Sequence, residues 1–145
     1  MKKVCLVLGA GRGIGATVAE KFAIEGFHSH LCRRSDSDAL QESLDQIQSK
    51  GGEATGELIN AIDDGVIEKI IESIEKDIGP IEVLIYNLGA QSGMKLLDET
   101  SYKEFEWGWR MASFGLFRAA KVLCPLMVER GKGTFLVTSA TAAMR

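Results

Sequence analysis

Three glycines with the spacing G-x-x-x-G-x-G, at Gly9, Gly13 and Gly15, lie between an apolar run (Val4 to Leu8) and a run with helical spacing (Ala16 to Ile24). Bare backbone at a strand-to-helix turn suits a phosphate, because the helix's free N–H groups and the positive end of its dipole face the turn. Gly9 permits the tight turn off the strand. Gly13 lets backbone approach a diphosphate, and Gly15 lets the helix pack close to the sheet. The G-x-G-x-x-G fingerprint does not fit, since its third glycine would fall on Ile14. A flexible turn without a ligand is the other reading, and the strand–turn–helix context speaks against it.

Eighteen residues after Gly15, Arg33 and Arg34 stand where sites that prefer NAD place an acid for the ribose hydroxyls. A guanidinium fork donates two hydrogen bonds to a phosphate. With Arg12, which can reach the same side, these charges predict an adenosine 2′-phosphate and hence NADP(H). The competing reading is a solvated basic turn offset by Asp36 and Asp38. His28 and His30 share one strand face, but a metal would want further converging ligands, so they read as packing or strand-surface histidines. Trp107 and Trp109 read as buried against the sheet or a partner.

The elements that must position these residues alternate along the chain. Lys3–Leu8, Phe27–Cys32, Glu53–Ile59, Ile81–Tyr86 and Thr134–Thr138 read as strands. Gly13–Glu25 reads as a helix with Ile14, Val18 and Phe22 on one face, and Asp36–Lys50 as a second with Leu40, Leu44 and Ile47. A third opens at Asp63-Asp64 and buries Ile67, Ile70, Ile71, Ile74 and Ile78. A long helical pattern from about Thr100 to Arg130 carries Phe105, Trp109, Ala112, Leu116, Ala119 and Leu123, and Pro125 should kink it or begin its end. Alternating strands and helices predict an α/β fold built of βαβ units, with right-handed crossovers and a parallel sheet.

Bulk properties narrow the class. The 145 residues read as a single domain, 1–145, with no internal repeat or interdomain linker. A net charge of −3 with interspersed signs argues against a dedicated nucleic-acid or acidic-membrane binder. The apolar run after Lys2-Lys3 is too short for a signal peptide or a membrane span. Cys5, Cys32 and Cys124 are scattered and lie in apolar contexts. They read as reduced core thiols of a cytoplasmic protein, with no disulfide frame and no metal site.

An ordered series of motifs resembles the short-chain dehydrogenase/reductase family. LGAGRGIG (8–15) is similar to its T-G-x-x-x-G-x-G loop, with Leu8 for Thr. YNLGA (86–90) resembles its N-N-A-G motif, keeping Asn87 and Gly89. LINAID (58–63) sits where an Asp usually lies near the adenine and has Asn60. GTFLVTSA (133–140) resembles the fifth strand ending in the catalytic Ser, which maps to Ser139. Together the loop and the resemblance assign cofactor contacts to Gly9, Gly11, Arg12, Gly13, Ile14, Gly15, Arg33, Arg34, Asn60, Asn87 and Gly89. They imply a Rossmann-type doubly wound parallel sheet in the order 3-2-1-4-5 with helices on both faces, and hydride transfer between NADP(H) and a small carbonyl or alcohol substrate, in a homo-oligomer.

The chain also departs from the family. The catalytic Asn, three residues before a Gly (here Gly115), is replaced by Ala112. The Tyr and Lys of the Y-x-x-x-K motif, which exchange the proton and hold the ribose, do not follow Ser139 within the 145 residues. Tyr86 and Tyr102 lack a Lys four residues on, where Ala90 and Glu106 stand. General acid–base help contributes about 10²–10⁴-fold, so these residues alone are expected to be inactive. A non-catalytic NADP(H)-binding module is the alternative. A methyltransferase is a weaker one, since that class usually wants an acid after the second strand.

Overall fold

The computed structural model describes residues 2–89 and 95–140. Five parallel strands, β1 (Val4–Leu8), β2 (His28–Arg33), β3 (Glu53–Leu58), β4 (Ile81–Tyr86) and β5 (Thr134–Val137), form one sheet in the order β3-β2-β1-β4-β5. The expected topology is therefore the observed one. All five residues of β1 are buried, as a central parallel strand covered on both faces requires. Its register sets Leu8 beside Cys32 on one side and Tyr86 on the other, so the three strand ends finish level.

Period-two alternation splits the core into two layers. On one face Cys5, Val7, Leu31 and Ile85 pack against helices α1 (Ile14–Ile24) and α2 (Ser37–Ser49). On the other, Leu6, Leu8, Leu84 and Tyr86 pack against α3 (Val66–Asp77) and the C-terminal helix. The α3 stripe of Ile67, Ile70, Ile71 and Ile74 is buried as the spacing predicts. In α1 the buried residues are instead Gly15, Ala19 and Ala23. Val18 and Phe22 only flank that core, and Ile14 is 60% exposed, correcting the expected face. Small residues win there because the helix lies too close to the sheet for a branched side chain.

The long helical pattern is three pieces: α4 (Tyr102–Trp109), a π turn (Arg110–Phe114) and α5 (Gly115–Arg130). Ser101 and Glu104 form a reciprocal cap at its start. Helix α5 runs through Pro125 and stops at Gly131, whose left-handed backbone (φ 69°) closes it. Tyr102–Arg130 is long and apolar enough to cross a membrane by length and composition. In this fold its Ala119, Leu123 and Met127 are buried in the core facing the sheet. Trp107 and Trp109 are exposed, so burial against the sheet is not where they go. Cys5 and Cys32 are core thiols as expected, whereas Cys124 is exposed on α5.

His28 and His30 do share a face. His28 Nε2 and His30 Nδ1 each lie 2.8 Å from the Thr55 hydroxyl on β3. Burial lowers the pKa of both imidazoles, and neighbouring Glu53 and Glu57 oppose that only in part. Among the described residues no group of three or more His, Cys, Asp or Glu is gathered as a metal site.

Candidate functional site

Strand order reverses between β1 and β4, and in open parallel sheets the crevice beyond the strand ends at such a point is where ligands bind. The glycine turn sits there. Gly9 has φ 96°, and a Cβ on it would strike the Asn87 carbonyl, so the turn off β1 excludes any other residue. A Cβ on Gly15 would strike the Gly9 carbonyl, which is the close helix approach expected of that position. Gly9 and Ala10 donate their N–H groups to the Cys32 carbonyl at 3.0 and 2.8 Å. Among the described residues, the N–H groups of Arg12, Gly13, Ile14 and Gly15 take no acceptor. They are the free donors of a helix start.

Asn87 ties the three central loops together. Its N–H donates to the Leu8 carbonyl and its side-chain amide to the Gly9 carbonyl (2.9 Å), and its side-chain oxygen accepts from the Thr138 hydroxyl (2.8 Å). Ser139 follows Thr138 directly and is exposed. One asparagine thus fixes the glycine turn relative to the strand end that carries Ser139. Gly89 is exposed beside it, and Gly11 has open space around it, so neither position is sterically restricted. Ala90, the last residue of the YNLGA motif, lies outside the described residues.

At the other end of the crevice a narrow slot of about 30 Å³ is lined by Gly9, Arg33, Arg34, Asn60, Leu88 and Met111, among others. Arg33 and Arg34 therefore share this slot with Asn60. Arg33 turns into its own loop: Nε donates to the Ser35 carbonyl at 2.7 Å, and Nη2 is 3.5 Å from Asp36. Its Nη1 is buried without a partner. Arg34 is exposed, and among the described residues its guanidinium has no carboxylate partner. Arg12 does not join them. It pairs with Glu42 at 3.3 Å in a separate groove between α1 and α2. Asn60 donates to the Asp63 carboxylate at 2.9 Å.

Sequence reasoning missed four contributors. Leu88 and Met111 line the slot, and Tyr86 donates its buried hydroxyl to the Met111 carbonyl at 2.5 Å. Burial pushes the Tyr86 phenol up to about 12, so it remains a donor at any working pH. Arg118 on α5 is the fourth. Its fork holds Glu68 through two bonds, at 2.8 and 2.6 Å, and the carbonyls of Ala61 and Asp63 at 3.3 and 3.0 Å. That clamp anchors the loop bearing Asn60. Its sequence signal was only a charged residue within a buried helical stripe.

Comparisons with known proteins agree with this fold. The family model described as short chain dehydrogenase matches residues 3–145. A 2,3-dihydro-2,3-dihydroxybenzoate dehydrogenase from Bacillus subtilis is 26% identical over 141 residues, covering 97% of this chain and 53% of its own length. An alcohol dehydrogenase from the archaeon Thermococcus sibiricus, solved with 5-hydroxy-NADP, superposes with a TM-score of 0.88 at 27% identity. It covers 99% of this chain, which matches 60% of that one. An NAD⁺-bound xylitol dehydrogenase superposes with a TM-score of 0.88 at 26% identity, covering 99% of this chain and 55% of its own. The chain spans about half the length of the curated relatives it matches. The methyltransferase alternative has no place beside a match of this extent. With that model matched over residues 3–145, the chain belongs to the short-chain dehydrogenase family.

Proposed function

We propose that the chain carries the cofactor-binding half of an NADP(H)-dependent reductase or dehydrogenase of small carbonyl or alcohol substrates. The observation that supports this best is Arg33-Arg34 at the mouth of the slot, where an acid would select NAD. The buried, unpartnered Nη1 of Arg33 and the exposed fork of Arg34 both have unused donors for a 2′-phosphate. Those residues fit NADP(H). The free N–H groups from Arg12 to Gly15 would take the diphosphate, and Asn60 would lie near the adenine. When bound, the nicotinamide supplies hydride exchange with the substrate carbon. The Ser139 hydroxyl would donate to the substrate oxygen, and Asn87 would hold the loops that set its position.

Ala112 favours a second reading. It is exposed within the π turn and offers no polar atom where the family pattern has Asn. On that reading the chain binds NADP(H) without turning over substrate. Equilibrium binding of NADPH and NADH to wild type, Arg34→Ala and Arg33→Asp tests the shared claim. Each charge-assisted bond lost should cost NADPH about 1.5 kcal/mol, the low end for such bonds because Arg34 is solvated, and leave NADH little changed. Equal wild-type affinity for the two cofactors refutes the phosphate reading.

A further inference from the structure

The π turn between α4 and α5 is built around a single carbonyl. In an α-helix the Gly115 N–H would bond the Met111 carbonyl, four residues back. Instead it reaches the Arg110 carbonyl, five back. The Met111 carbonyl thus lacks the Gly115 donor of an α-helix, and the Tyr86 hydroxyl donates to it at 2.5 Å. Tyr86 is 1% exposed, so no water competes for that carbonyl from its side. Gly115 completes the arrangement, since a Cβ there would land on the Tyr86 hydroxyl oxygen. The Met111 side chain, 7% exposed, meanwhile forms one wall of the slot shared by Arg33, Arg34 and Asn60.

We propose that Tyr86 is a positioning residue for the adenosine end of the cofactor site, acting through Met111: its hydroxyl holds the π turn, and the π turn holds the slot's wall. This rests on the NADP(H) reading above. A slot of about 30 Å³ is far below the roughly 300 Å³ at which ligand pockets begin, so its walls must yield to admit an adenine. An unbranched thioether can swing aside and repack on a flat ring. It does so productively only if its backbone stays put. A free Met111 carbonyl would let the turn relax to α geometry, which shifts the register and moves the side chain off the slot. Arg118 anchors the facing loop independently, through the carbonyls of Ala61 and Asp63.

The test is isothermal titration of the 145-residue chain with adenosine 2′,5′-bisphosphate and with NADPH. Tyr86→Phe should weaken both by about tenfold, the worth of one hydrogen bond with a buried acceptor. Gly115→Ala, which displaces the phenol from the opposite side, should do the same although alanine is the better helix former. In a Met111→Ala background, itself weaker for both probes, Tyr86→Phe should have no further effect, which a general loss of stability would not produce. Unchanged bisphosphate affinity in Tyr86→Phe or in Met111→Ala, with a cooperative melt, overturns the proposal. So does a tenfold loss that persists in the Met111→Ala background. A wild-type chain that binds neither probe overturns the cofactor reading, and this inference with it. If Tyr86→Phe does not fold, Gly115→Ala and Met111→Ala decide the matter.

Discussion

Arg118→Met should cost the fold about 3–5 kcal/mol. The side chain is 7% exposed, and its fork makes four bonds: two to the Glu68 carboxylate and one each to the carbonyls of Ala61 and Asp63. Methionine replaces the volume but none of the donors. Glu68, 30% exposed, is left charged without its partner, and two carbonyls at the β3–α3 loop lose theirs. For a chain of this size, each 1 kcal/mol shifts Tm by about 2–4 °C, so calorimetry should show a drop of roughly 6–20 °C. The loss should depend on pH. The Arg118 bond holds the Glu68 carboxyl below its usual range. A carboxyl whose folded pKa is depressed contributes stability above its unfolded value, near 4.5, and that contribution vanishes as pH falls through the folded value. The gap between wild type and Arg118→Met should therefore be full at pH 7 and narrow below about pH 4. Arg118→Met combined with Glu68→Leu should recover part of the loss, because an apolar pair leaves no stranded charge. A Tm change under 2 °C at pH 7, or a gap that widens in acid, would refute the argument.

Three other outcomes follow from the same structure. The 145 residues should reduce no ketone or quinone above background, and Ser139→Ala should change nothing; NADPH consumption that depends on substrate and is lost in Ser139→Ala would contradict this. Strand β5 is an exposed edge at Leu136 and Val137, and Phe105, Trp109 and Phe117 are exposed on the α4–α5 face, so light scattering across a dilution series should show a dimer or larger species, and a sharp monomer mass at high concentration would count against it. A thiol reagent should modify one cysteine quickly, because Cys124 is exposed whereas burial raises the Cys5 thiol to about 12 and pushes Cys32 up as well; fast loss of two or three thiols in the folded chain would mean that the sheet core opens.

Parallel pairing and the place of the glycine turn were legible because they rest on local patterns, whereas the sheet order came with the family resemblance. Apolar runs bounded by glycine mark buried strands, isoleucines at helical spacing mark α3, and a strand-turn-helix junction admits few glycine spacings. The face of α1 was misread for a physical reason. Hydrophobicity names Ile14, but the close approach of Gly15 to the Gly9 carbonyl leaves room only for alanines, and that distance is a property of the sheet.

The sequence by itself named the candidates for a dinucleotide by residue type and spacing: glycines for backbone approach, arginines in place of an acid, an asparagine after β4. Tertiary structure decided what each of them touches. Arg33 and Arg34 are neighbours in the chain, yet one is folded into its own loop and the other faces solvent. Arg12, expected beside them, answers to Glu42 on α2 instead. Tyr86, Met111 and Gly115 are spread over three elements and form one interlock only because β4 ends beneath the π turn. Residue type and spacing specify chemistry along the chain, whereas the partner of a buried donor is set by which elements the sheet brings within about 3 Å of one another.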